Sequence, residues 1–275
     1  IGDSTKLLEI IEKEHVTDLI FAISGEMKPS LYAAILKAEE RGIEVTTMPA
    51  IYEELLGRVP ISLLDDDWIL RSFVDRSHAS GSYELGKRMM DLLGAFIGLI
   101  ILCAFFPFIS LGIIIDDGFP VIFKQKRVGK SGKIFHLLKF RSMRRDAEKD
   151  GVARFAVEND ERATRWGRFL RKTHLDELPQ FLNILKGDLS LVGPRAERPE
   201  LVEQFQKEVP FYRARLFIKP GLTGWAQVNY HYASNPEETA VKLEYDLYYI
   251  MHRNILLDIL ILVRTVGQVI GFRGI

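Results

Sequence analysis

The sequence predicts a mixed α/β chain in three parts: a partial Rossmann-like α/β module, a re-entrant membrane helix hairpin, and a small α+β domain carrying interfacial amphipathic helices. Three observations predict it. Short apolar runs alternate with amphipathic ones over the first fifty residues, residues 89–115 are apolar with Asp91 as their sole charge, and charge is segregated along the chain. Residues 1–86 carry 8 Lys/Arg against 16 Asp/Glu, whereas 121–175 carry 16 against 6, although the 275-residue chain is neutral overall. An acidic globular module therefore precedes a basic segment suited to phosphates or an anionic membrane surface. The expected boundaries are 1–76 for the module, 77–86 for a linker, 87–117 for the membrane segment and 118–275 for the last domain.

The opening reads as helix (Thr5 to Glu14), strand (Thr17 to Ile23), helix (Pro29 to Arg41), Gly42 and strand (Ile43 to Met48), the rhythm of a parallel α/β unit. No Gly-x-Gly-x-x-Gly follows a strand here, so a packing or regulatory module is expected rather than a cofactor site. Adjacent carboxylates point apart on any regular backbone, so Asp65-Asp66-Asp67 reads as a solvated loop rather than a metal site. The Ser/Gly-rich stretch from Ser77 to Ser82 reads as linker. The chain starts at Ile1 without a basic signal region, and further sequence is expected upstream. Cys103 is the only cysteine, which excludes a disulfide framework and a cysteine-based zinc site, and the six histidines show no zinc spacing.

At ~1.5 Å per residue a helix over 89–115 reaches roughly 40 Å, enough for a hydrocarbon core of about 30 Å. Pro107 removes a backbone donor inside this run. If the flanking segments share one side of the membrane, the run must enter and leave by the same face. The expectation is one arm from Met89 to Phe106, a break at Pro107, and a shorter arm returning by Ile115.

Beyond it, residues 121–129 and 135–143 read as two strands joined by a Gly/Lys turn. Lys139 and Arg141 alternate with apolar neighbours and would share a face, as a diphosphate grip or as a solvated sheet surface. The spacing of Leu178, Phe181, Leu182 and Leu185, closed by Gly187, predicts a short helix with Asp176 at its N-terminus. There Asp176 is either a helix cap, with Glu177 a first-turn acid, or an ionised group beside a bound phosphate. Gly193-Pro194 makes a rigid turn that presents Arg195, for an anion or merely at the surface. Residues 255–270 form an apolar helix interrupted by Asp258, Arg264 and Gln268, too short to span comfortably and suited to the membrane interface.

Six motifs then stand in order: Lys87-Arg88-x-x-Asp91, the apolar run interrupted by Pro107, Lys139-Phe140-Arg141-Ser142-Met143, Leu175-Asp176-Glu177-Leu178-Pro179-Gln180, Leu191-Val192-Gly193-Pro194-Arg195, and Pro220-Gly221-Leu222-Thr223-Gly224-Trp225-Ala226-Gln227-Val228. Together they make residues 87–275 resemble the monotopic phosphoglycosyl transferases, the bacterial sugar transferase or polyprenyl glycosylphosphotransferase family. The preceding module resembles the extra module of its large members, which also carry upstream membrane helices. Ser142 stands where the family usually has Thr, and Ala196 where a second proline is common.

The resemblance implies a transferase that moves a sugar-1-phosphate from a nucleotide diphosphate sugar, a UDP-sugar above all, to polyprenyl (undecaprenyl) phosphate. That step initiates exopolysaccharide, capsule or O-antigen assembly. It implies Asp176 as nucleophile, Glu177 as its assistant, Mg2+ held by Asp176 and Glu177, and Lys139, Arg171, Arg195 and Arg141 as phosphate contacts. It further implies membrane lipids as partners, no nucleic acid, room for a homodimer, and a place at the cytoplasmic face of the bacterial inner membrane. Two other classes compete: a catalytically silent membrane-anchored scaffold for glycan assembly, and a phosphatase acting on the lipid carrier. A scaffold has no need of Asp176, Glu177, Arg171 and Arg195 together. A phosphatase would release inorganic phosphate without a nucleotide sugar.

Overall fold

The alternation at the start of the chain folds as a β–α–β unit in the computed structural model, which describes residues 6–22, 28–63, 80–147, 160–230 and 235–270. Helix α1 (Leu7–Glu14) leads to β1 (Asp18–Phe21), α2 (Pro29–Glu40) returns the chain, and β2 (Glu44–Thr47) pairs with β1 in parallel from Asp18↔Glu44 to Phe21↔Thr47. Pro29 sits in the first turn of α2, where its missing N–H costs nothing, and Gly42 takes the positive φ (+83°) that reverses the chain into β2. Helix α3 (Met48–Leu56) comes next, capped by Thr47, whose Oγ1 accepts from the Ala50 N–H at 3.4 Å. Ile11, Ile35, Ala38, Val59 and Ile61 are among the buried apolar residues described in this unit, which covers Ile1–Ile69. Asp65-Asp66-Asp67 and the Ser77–Ala79 start of the expected linker lie outside the described residues.

The second unit covers Leu70–Ile275. It opens on α4 (Gly81–Asp117), a 37-residue helix with Pro107 inside it and long and apolar enough to cross a membrane. The expected linker therefore gives way to helix by Gly81, because Ser80 is a helix cap: its Oγ accepts from the Tyr83 N–H at 3.3 Å. Where two arms were expected on either side of Pro107, helix is continuous from Gly81 to Asp117. Met89, Leu93, Phe96, Phe108 and Ile115 are among its exposed apolar side chains, while Leu102, Ile109 and Ile113 form a core with Phe140 and Leu170. Three glycines of α4 take side chains where a Cβ would collide: Gly94 meets Leu191, Gly98 meets Phe181 and Gly112 meets Trp166.

Strands β3 (Ile122–Val128) and β4 (Ile134–Phe140) form the predicted antiparallel hairpin around a turn at Lys130–Gly132. Helix α5 (Arg165–Lys172) is capped by Thr164, and Gly167 lies so close to the Ser142 carbonyl that no side chain fits. After α6 (Gln180–Lys186), ended by Gly187 at φ +91°, the short strand β5 (Ser190–Val192) pairs in parallel with β6 (Gly221–Thr223). Between them lie α7 (Pro199–Glu208) and a 3-10 segment (Tyr212–Phe217). Helices α8 (Trp225–Asn229), α9 (Pro236–His252) and α10 (Ile255–Ile270) complete the fold.

Helix α10 buries Ile261 together with Asp258 and leaves several apolar side chains outside. Its polar residues have partners in the domain: Asp258 is fully buried, the exposed Arg264 donates through Nη1 to Asn229 Oδ1 at 2.9 Å, and Gln268 Nε2 donates to the Val228 carbonyl at 3.2 Å. Its apolar residues Leu256, Ile259, Leu260, Val263 and Val266 are exposed. A water-facing helix would bury those residues instead.

Candidate active site

Lys139, at the end of β4, reaches the turn that carries Asp176 and Glu177, with its Nζ 2.6 Å from Glu177 Oε1. Arg195 approaches the same oxygen at 4.0 Å. The side chain of Arg171, in the last turn of α5, forms no hydrogen bond or ion pair among the described residues but bears electrostatically on Asp176. The structure thus brings together Lys139, Arg171, Asp176, Glu177 and Arg195 from four separate segments.

Asp176 does not stand at the N-terminus of α6 as expected. It lies in a preceding 3-10 turn, Leu175–Glu177, and Pro179 occupies the cap position of α6. The reason is local. An α-helix begun at Leu175 would require an N–H at Pro179, which proline lacks, so the chain makes i→i+3 bonds instead. The Glu177 N–H bonds the His174 carbonyl at 3.1 Å and the Leu178 N–H bonds Leu175 at 3.3 Å. His174 enters this turn with φ +55°, a left-handed conformation unusual outside glycine.

Arg141 is not at this cluster. Strand β4 ends at Phe140, and Arg141 Nη2 donates to the carbonyls of Asp117 (2.9 Å) and Gly118 (2.5 Å) with Asp117 Oδ2 3.2 Å away. The last carbonyls of a long helix have no intrahelical donors, and its C-terminal end attracts cations. Arg141 therefore fastens the end of α4 to the hairpin.

The two adjacent carboxyls are driven apart. Burial raises Asp176 to about 6 against the pull of Lys139, with the Glu177 charge adding to the rise. Burial also works to raise Glu177, but Lys139 and Arg195 outweigh it and hold this carboxyl at about 2. Glu177 is thus fixed as an anion, while Asp176 is a desolvated carboxylate with no hydrogen-bond donor among the described residues. Two neighbouring acids with opposed shifts have separate chemical roles.

Arg195 is delivered by the close approach of two glycine-rich segments. A Cβ on Gly193 would lie 2.9 Å from Gly221 N, and one on Gly224 would strike the Gly193 carbonyl. The backbone beyond is held by cations that composition alone did not single out. Arg215 Nη2 donates to the Arg195 carbonyl at 3.0 Å, and Arg127 Nη1 to the Ala196 carbonyl at 2.7 Å. Glu197 binds Lys242 at 2.8 Å, with Arg127 and Arg215 at 3.6 and 3.9 Å. Burial would raise Glu197, but Lys242, Arg215 and Arg127 hold it at about 2. These residues were missed because their partners are far apart in sequence; only the acid in Arg195-Ala196-Glu197-Arg198 hinted at them.

Hard oxygen donors suit a magnesium-like cation, which commonly takes one or two protein carboxylates and completes its shell with ligand oxygens. Among the described residues no group of three or more His, Cys, Asp or Glu side chains surrounds such a position. The carboxylates of Asp176 and Glu177 are therefore the protein donors this cluster offers.

The family model described as bacterial sugar transferase matches residues 82–272. Over 231 residues the chain is 42% identical to a UDP-N-acetylgalactosamine-undecaprenyl-phosphate N-acetylgalactosaminephosphotransferase of Aeromonas hydrophila, covering 84% of this chain and 53% of that protein. It is 32% identical over 281 residues to a UDP-glucose:undecaprenyl-phosphate glucose-1-phosphate transferase of Xanthomonas campestris pv. campestris, covering 98% and 56%. With the exopolysaccharide production protein PSS of Rhizobium leguminosarum bv. phaseoli it shares 39% identity over 186 residues, covering 66% and 92%. The chain spans about half the length of the first two relatives. The matched residues contain all of α4 but its first residue, the hairpin, the carboxylate turn and the Arg195 segment, and the chain belongs to the bacterial sugar transferase family.

Proposed function

We propose that this protein transfers a sugar-1-phosphate from a nucleotide diphosphate sugar, a UDP-sugar by the names of its relatives, to undecaprenyl or another polyprenyl phosphate. The observation that carries the reading is the buried Asp176-Glu177 pair, split in acidity and ringed by Lys139, Arg171 and Arg195. Transfer between two anions needs cations to hold phosphate oxygens and a nucleophile able to take the phosphoryl group in the interim. A scaffold has no use for that cluster, and a phosphatase would leave the nucleotide-sugar names of the relatives unexplained.

In the mechanism, a carboxylate oxygen of Asp176 bonds to the phosphorus bearing the sugar, and the bond from that phosphorus to the bridging oxygen breaks. Nucleoside monophosphate leaves with the electron pair. An oxygen of the lipid phosphate then attacks the same phosphorus, and the Asp176 carboxylate is released. Lys139, Arg171 and Arg195 hold the oxygens in line, so catalysis is mostly positioning and charge stabilisation. Asp176 and Glu177 would hold Mg2+, which when bound neutralises part of the diphosphate charge.

The membrane reading rests on where α4 is fastened. Near its start, Lys87 Nζ donates to Asp258 Oδ2 and Tyr249 Oη, each at 3.0 Å. At its end Arg141 grips Asp117 and Gly118, and the Trp166 N–H donates to Asp116 Oδ2 at 2.8 Å. Both ends belong to one polar domain, so α4 is read as entering and leaving a single leaflet beside the exposed face of α10. We read the domain as lying at the cytoplasmic face of the inner membrane, and the β–α–β unit as Rossmann-like. Purified protein supplied with magnesium, polyprenyl phosphate and a panel of nucleotide diphosphate sugars is expected to release nucleoside monophosphate with at least one donor. Silence with all of them would favour a scaffold.

A further inference from the structure

The apolar helix α4 also carries polar residues whose partners lie in the two segments that build the active site. Asp91 is 2% exposed, and its Oδ1 accepts from both the Ser190 hydroxyl and the Leu191 N–H, each at 2.9 Å. One turn earlier, Arg88 donates through Nη1 to the Ile184 carbonyl and through Nη2 to the Leu185 carbonyl, each at 2.9 Å. Arg88 and Asp91 are three residues apart and share a helix face, which Gly94 and Gly98 continue by receiving Leu191 and Phe181. That face therefore touches α6, which comes after Asp176 and Glu177, and β5, which leads into Arg195.

The Leu191 N–H shows why a side-chain acceptor is needed in an otherwise apolar run. On one edge β5 pairs with β6, where the Ser190 N–H bonds the Pro220 carbonyl and the Gly193 N–H bonds Thr223, each at 2.9 Å. The Leu191 N–H points to the other edge, where no strand lies among the described residues. A buried amide without an acceptor is costly, and Asp91 supplies one. The same bond fixes the height of β5 on α4 just ahead of Gly193-Pro194-Arg195.

We infer that Asp91 is a positioning residue for the transfer reaction, acting through β5 to hold Arg195 at Glu177. The membrane helix thereby sets the spacing between the carboxylate turn and its arginine, which stand 4.0 Å apart. This rests on the functional reading above. Asp91 touches no reacting atom in it; its effect travels through Leu191 and the rigid Gly193-Pro194 turn.

The test uses the whole protein in nanodiscs, compared at equal folded amounts. Asp91→Ala is expected to lower kcat on the order of a hundredfold, the cost of misplacing a catalytic group by about an ångström. Asp91→Asn, which retains the Oδ1 acceptor, should restore most of that loss. In an Arg195→Ala background Asp91→Ala should add at most about a threefold loss, because residues acting through one another are not additive. Amide exchange at Leu191 gives a readout that needs no turnover: faster in Asp91→Ala, near wild type in Asp91→Asn. Should Asp91→Ala not fold, Ser190→Ala, which removes one of the two bonds, is expected to lower kcat several-fold and leave the donor KM near its wild-type value. Full multiplicative losses in the double variant, or unchanged Leu191 exchange in Asp91→Ala, would overturn the inference. A wild-type protein silent with every donor would instead sink the functional reading, with the exchange arm still deciding whether Asp91 holds β5.

Discussion

At the scale of single residues, the site is governed by which carboxyl the cations reach. Lys139 is the largest opponent of the rise in Asp176 and the largest cause of the fall in Glu177. Asp176 attacks as an anion, so without a divalent cation the donor half-reaction should fall away as pH drops through about 6. Lys139→Met removes the cation that lowers both groups, so this acid limb should move to higher pH in a pH–rate profile; an unmoved limb would show that Lys139 does not set it. Glu197 gives a cleaner linkage. Its folded-state pKa is depressed from 4.5 to about 2, so its contribution is present above pH 4.5 and is lost as pH falls towards 2. Glu197→Gln should cost about 3 kcal/mol at neutral pH in denaturant unfolding, with the deficit closing in acid. Sequence patterns named Lys139, Asp176, Glu177 and Arg195 because each sits in a local motif. Arg141 misled because alternation along a strand does not say where the strand ends, and the carbonyls of a helix 24 residues away claimed it.

At the scale of elements, the hairpin and α10 are legible from apolar periodicity and the Gly/Lys turn, and α4 as an apolar run, though not its continuity through Pro107. The 3-10 turn before α6 was not, since Pro179 is tolerated in a first helical turn and only the backbone bonds show that it displaced the start. The Ser77–Ser82 stretch read as linker because Ser is both a loop residue and a helix cap, and the cap role depends on whether the next residues turn into a helix. Gly167 is an element-scale test: Gly167→Ala would drive α5 against the Ser142 carbonyl, and a loss of about 1–3 kcal/mol is expected from overpacking, measured as a lowered unfolding midpoint. Helix α4 supplies another. Cys103 is the only cysteine and lies exposed on its apolar surface. It should react with a lipophilic maleimide in vesicles and resist a charged one. In a Cys103→Ala background, cysteines at Ser82 and Lys124 should both be labelled from the same side of sealed vesicles, and opposite sides would discard re-entry.

At the scale of the molecule, the chain pairs a β–α–β unit with a domain whose apolar surfaces, α4 and the outer face of α10, suit a bilayer interface. Of the charge segregation visible in sequence, the acidic stretch contains the first unit, and the basic stretch supplies Lys139 and Arg171 to the carboxylate turn. What could not be read ahead is the joining of distant segments, such as Lys87 with Asp258 or Asp91 with Leu191, because each partner alone is one polar residue in an apolar run. The proposed mechanism turns on Asp176 carrying the sugar phosphate between donor and lipid. Incubating the protein with its nucleotide diphosphate sugar and magnesium, without lipid, and mapping the product by intact and peptide mass spectrometry tests that role most directly. The expected result is one sugar-phosphate adduct on the peptide containing Asp176, absent in Asp176→Asn and discharged by polyprenyl phosphate. Turnover that proceeds only when donor and lipid are bound together, or normal turnover by Asp176→Asn, would contradict it.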